Sequence, residues 1–219
     1  KVSITGLPSQ ALTNKTASTV SPIETLGNLL ATFKSKSVLF DLVEFTGGND
    51  SALMPNEASI TIVVSEDATE KVETRLDNSI ESFMDKHGKK YPELAYTYEV
   101  VDMPYEVIDS DVTESLISLL YTVPTGMYDS DDEKDPTAFS YITSIDVTSD
   151  TAKVTLLASG YDETTLTELN DSYQTICALT DINFAQTGSY PIYKMNDNGS
   201  ALAESFTNSY FEYKTNTLD

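Results

Sequence analysis

The chain reads as an α+β fold, with antiparallel sheet and helices packed on one face. Three observations predict it. Short runs with alternating apolar residues recur along the sequence. Between them lie segments whose apolar residues repeat every three or four positions. The element order α-β-β-α-β of residues 109–195 echoes that of residues 1–108 after its opening strand. Strands with one apolar face and helices with one apolar stripe bury each other in β-α-β-β-α-β units, so the expectation is two ferredoxin-like halves, with room for one extended sheet between them.

Residues 2–7, "VSITGL", alternate as a strand, and a polar stretch follows. Ser21-Pro22 supplies an N-cap and a proline at the first helical position, with Ile23, Leu26, Leu30 and Phe33 on one face. "SVLFDLVEF" and "ASITIVVS" are the second and third strands. A helix is expected from about Asp67 to Lys86, with Val72, Leu76, Ile80 and Phe83 as its buried stripe, and "LAYTYEVV" is a fourth strand. In the second half a helix from about Asp111 to Tyr121 carries Val112, Leu116, Leu119 and Leu120. "AFSYITSIDVTS" and "AKVTLLASGY" form a hairpin around Ser149-Asp150. Asp162 caps a helix with Leu166, Leu169, Tyr173 and Ile176 aligned, and "INFAQTGSYPIY" is a further extended run. Residues 196–219 change character. After "NDNG" comes an amphipathic helix with Leu202, Phe206, Tyr210 and Tyr213 in line, read as the start of a truncated domain.

The chain has 219 residues, 40% of them apolar, enough to bury a core. Its net charge is -22, with Arg75 as its one arginine. Such a surface repels phosphate backbones and anionic membranes, so neither nucleic acid nor membrane is an expected partner. No run of about eighteen apolar residues is present. Cys177, the one cysteine, sits in an apolar helical pattern as a small core residue. The start lacks a methionine and a signal region, which reads as a fragment or a processed chain.

The chemistry-bearing residues are few. His87, the one histidine, ends the long helix beside Gly88, an expected C-cap, where histidine and lysine suit the helix dipole. Any serine or cysteine nucleophile relay would have to use that residue, and no nucleophile motif surrounds Cys177 or any serine. "DSDDEKDP", residues 129–136, lacks the glycine and glutamate of a calcium loop and reads as a solvated connection. Phosphate-binding glycine motifs are missing.

One stretch carries more information. "VEFTGGNDSALMPNEASITIVV", residues 43–64, places a glycine pair and a Met-Pro between two strands that a two-residue turn could join. It resembles the lid, or dimerisation, domain of the aminoacyl-histidine dipeptidases, a dinuclear-zinc peptidase family. "SITGLPSQALTN", "SLISLLYTVPTGM", "TSIDV" and "GSYPIY" are similar to further family segments, in the same order. The resemblance implies that the lid is inserted into a zinc-binding catalytic domain whose ligands lie outside this chain. No metal is then expected here, and the expected partner is that catalytic domain or a second copy in a homodimer. It also implies a cytoplasmic location. By the family pattern three lid residues reach the active site, a histidine, an asparagine and an arginine. They fall here at Ala11, Ala52 and Ala158, with Gln10 and Ser159 as polar neighbours. Alanine supplies neither a proton donor nor an anion-gripping fork.

The expected function is therefore a non-catalytic lid or dimerisation domain of a dipeptidase-like protein, without the side chains that reach the active site in the family. The alternative is a free-standing acidic module whose thirteen tyrosines form a recognition surface. A third reading is an enzyme using unrecognised carboxylates.

Overall fold

Ser21, itself in extended conformation, starts a helix. Its hydroxyl accepts from the Glu24 amide at 3.3 Å, and Pro22 occupies the first turn, where a missing N–H is no loss. In the computed structural model, residues 1–11, 20–49, 53–128, 138–189, 205, 206, 208–210 and 213 are described. The acidic run 129–136 and Ala52 lie outside them.

Helix α1 (Pro22–Ser35) buries Ile23, Leu26, Leu30 and Phe33 completely, as their spacing predicts. Around it, β1 (Val2–Thr5), β2 (Asp41–Gly48), β3 (Ala58–Val63), α2 (Glu66–His87) and β4 (Ala95–Tyr98) complete the first half. The strand order β4-β1-β3-β2 is antiparallel throughout, with β3 inserted between β1 and β2. This is the split arrangement expected of a β-α-β-β-α-β unit.

The sheet continues into the rest of the chain. α3 (Ser110–Thr122) is followed by β5 (Gly126–Tyr128), β6 (Ala138–Val147), β7 (Ala152–Gly160) and α4 (Glu163–Leu179). β6 pairs with β7 along its whole length. Its opposite edge carries β2 at Ser144–Val147 and β5 at Ala138–Ser140. The seven strands thus form one antiparallel sheet, and the fold is α+β. The turn between β6 and β7 closes through the Thr148 amide donating to Thr151 at 2.7 Å, as the hairpin expectation required.

The four helices share one core with Val2, Ile4, Leu42, Phe45, Ile60, Ile142 and Ile145, which places them on one face of the sheet. Leu42 and Phe45 are three apart, and simple alternation would put them on opposite faces. A bulge between Leu42 and Glu44 inserts Val43 and restores both to the helix side. A second bulge, between Ile142 and Ser144, does the same for Ile142 and Ile145.

Two expectations need correction. Val112 is 40% exposed and Thr113 takes its place on the buried face of α3, because that helix presses Leu120 against Gly27 of α1 and turns Val112 aside. Gly88 caps α2 as expected, in right-handed conformation with its amide donating to Met84. Residues 182–189 form no strand; residues 183–189 are exposed, without the ladder partner a strand needs. The short β5 was not expected. A second unit comprises residues 189–219; its described residues beyond Ser189 are helical, with Phe206, Tyr210 and Tyr213 exposed. Among the described residues no helix is long and apolar enough to cross a membrane.

Candidate functional site

The glycine pair has a steric cause. A Cβ on Gly47 would lie 2.6 Å from that of Ala58, and Gly48 has φ +66° with the Thr143 carbonyl oxygen only 2.0 Å from where its Cβ would stand. Beyond the pair the chain arches back along the segment after β1. The Gly48 amide donates to Glu57 at 3.1 Å, Met54 to Gln10 at 2.8 Å and Leu7 to Asn56 at 3.2 Å. Ala11 bridges Leu53. Met54, 1% exposed, packs with Phe139 and Tyr141 in a cluster separate from the main core. Those two residues alternate with Ser140, which meets Tyr173 of α4, so the arch covers the face of β6 that the helices leave bare.

Of the positions matched to lid contacts, Ala11 lies beside the arch. Ala158 pairs with Ser140 and packs against the main core, on the helix side of β7. Its neighbour Ser159 pairs with Phe139 and so belongs to the face that Met54 covers. Arg75 and His87 lie on α2, which packs on β4 at the far edge of the sheet. Five strand spacings separate that edge from β7, about 24 Å. His87 meets Phe83 in a tilted ring contact with centroids 4.9 Å apart, and burial, then Lys86 and Lys90, hold its pKa below the usual value. Cys177 is buried in α4, which pushes its thiol pKa up. Among the described residues no three histidine, cysteine or carboxylate side chains group to hold a metal.

A polar cluster not anticipated from the sequence sits where α1, β5, β6 and α4 meet. Glu24, in the first turn of α1, is largely buried, and its Oε1 has no hydrogen-bond partner. Its burial raises the carboxyl pKa, partly offset by a bond from the Thr125 side chain. Tyr173 donates to Ser140 at 2.5 Å. Burial pushes Tyr128 and Tyr141 up to about 12; Tyr173 and then Glu24 add to the shift of the first, Glu24 to that of the second. On the opposite face of β6, under Met54, the Tyr141 hydroxyl is buried without a partner as well. The sequence signal was the glutamate three residues after the Ser21 cap, a spacing that ordinarily turns the carboxylate back toward the helix start in solvent.

No protein-family model matches the chain, and no curated protein matches it. Its fold is similar to part of an aminoacylhistidine dipeptidase. The crystal structure of that protein from Vibrio alginolyticus superposes with a TM-score of 0.83 at 18% sequence identity, over 92% of this chain and 42% of the other. The chain therefore spans less than half the length of the dipeptidase it resembles, and the family resemblance carried by its segments is met at the level of fold.

Proposed function

We propose that this chain is a non-catalytic lid or dimerisation domain of a dipeptidase-like protein, one that no longer contributes side chains to an active site. The fold match carries the reading: almost all of this chain corresponds to a minority of a peptidase chain. The residue inventory supports it. The one arginine and one histidine stand on α2, a sheet's width from β7, and Ala11 and Ala158 hold positions where the family resemblance expects a histidine and an arginine. A zinc-binding catalytic domain would supply the chemistry, and this chain would cover it.

An exposed apolar patch supports such a partner. Between β4 and α3, Val100, Met103 and Tyr105 are exposed at 91%, 75% and 106%, with Val101 and Val107 partly so. Lone exposed apolar residues are ordinary; five within eight positions make a patch. The Lys1 backbone amino group donates to the Glu99 carbonyl at 2.7 Å. A catalytic domain or a second copy docked on this segment would cover the patch.

The test is a chimera in which this chain replaces the matching segment of the Vibrio dipeptidase. The expected protein folds and loses turnover by orders of magnitude, since the replaced segment no longer contributes side chains to substrate. A chimera that hydrolyses dipeptides at the parental rate would refute the claim that those side chains are gone, and one that cannot fold would refute the lid assignment.

A further inference from the structure

We propose that Glu24 is a proton-operated clasp: as the neutral acid it closes the junction of α1, β5, β6 and α4, and as the carboxylate it opens that junction. The geometry sets the conflict. Oε1 is enclosed without a hydrogen bond, while Thr125 serves the side chain from the turn before β5. A buried, incompletely solvated carboxylate is less favourable than the same group in water, whereas the neutral acid is tolerated and can donate.

Among the described residues, the groups around it offer no counter-charge. β5 presents Tyr128, and β6 presents the Ser140 that Tyr173 of α4 already engages, while Tyr141 lies on the opposite face of β6. α3 meets α1 through Leu120 against Gly27, and its Glu114 pairs with Lys34. That pair is ten residues further along α1, roughly 15 Å at 1.5 Å per residue. Among the described residues, no cation acts on Glu24. The start of α1 favours negative charge, and burial outweighs it.

The junction also has a weak element. β5 is three residues long and joins β6 through three residue pairs, against nine for β7. Detaching β5 lets water reach Glu24 at the smallest loss of structure, so opening there is the expected response to ionisation. The sign follows from linkage. The closed state holds the proton to higher pH than the open state does. The open fraction therefore rises with pH, by up to tenfold per unit between the two ionisation midpoints, and the closed form is favoured below both.

Amide hydrogen exchange at Gly126–Tyr128 and Ala138–Ser140, corrected for intrinsic rate and followed against pH, tests this in the whole chain. The wild type should lose protection there as pH rises from the ordinary glutamate range, and Glu24→Gln should hold it constant. Identical pH profiles would overturn the proposal. Should Glu24→Gln fail to fold, the carboxyl carbon resonance of Glu24 in the wild type decides alone. A midpoint clearly above the ordinary value supports the clasp, and an ordinary midpoint overturns it.

Discussion

Gly48 offers the sharpest test of how the two halves of the sheet are joined. Its φ of +66° is left-handed, and an alanine there is disfavoured by roughly 1–2 kcal/mol from backbone sterics. The added Cβ would also stand 2.0 Å from the Thr143 oxygen and 3.0 Å from its carbon. Both belong to the backbone of the bulged strand β6, which cannot rotate away as a side chain would. Relief requires β2 and β6 to part by about 1 Å, disturbing a buried joint and adding about 1–3 kcal/mol of packing strain. Gly126 isolates the first effect. Its φ is +99°, and nothing lies within 4 Å of its Cβ position. For a chain of this size each kcal/mol lowers the melting temperature by about 2–4 °C. Gly48→Ala should therefore lower it by about 10 °C and Gly126→Ala by a few degrees, read by thermal circular dichroism. Equal losses for the two variants would refute the close approach of β2 and β6.

Two further outcomes are expected. Met54→Ala should destabilise the chain by about 2–5 kcal/mol in urea unfolding, because it empties the centre of the cluster with Phe139 and Tyr141; a loss below about 1 kcal/mol would mean that the arch does not seal that face. Cys177 should resist an aqueous thiol reagent in the native chain and react fully in denaturant, since burial both hides the sulfur and keeps it protonated; rapid native labelling would contradict its packing in α4.

The helical stripes were legible because a 3.6-residue period leaves few choices: Ile23, Leu26, Leu30 and Phe33 can face a core together only on a helix. The strands were legible in number more than in register. The bulges at Val43 and Thr143 shift the alternation by one residue, and nothing in a local apolar pattern marks an inserted residue. β5 is too short to show a period, and its existence depends on β6 offering an edge. The glycine pair was visible, but its reason was not, because Thr143 is ninety-five positions away from Gly48 in the chain. The matched position Ala158 was placed by sequence alone, and only the β6–β7 register shows that it faces the helices while Ser159 faces the arch. Glu24 carried the plainest local signal of all, a glutamate in a helix first turn. Its burial is a consequence of β5, β6 and α4 arriving from more than one hundred residues downstream.

The proposed lack of catalytic groups is measured most directly by dipeptide turnover. The purified chain, supplied with zinc and an Xaa-His dipeptide, should release no histidine above the rate in buffer. Turnover that a chelator abolishes and zinc restores would contradict it.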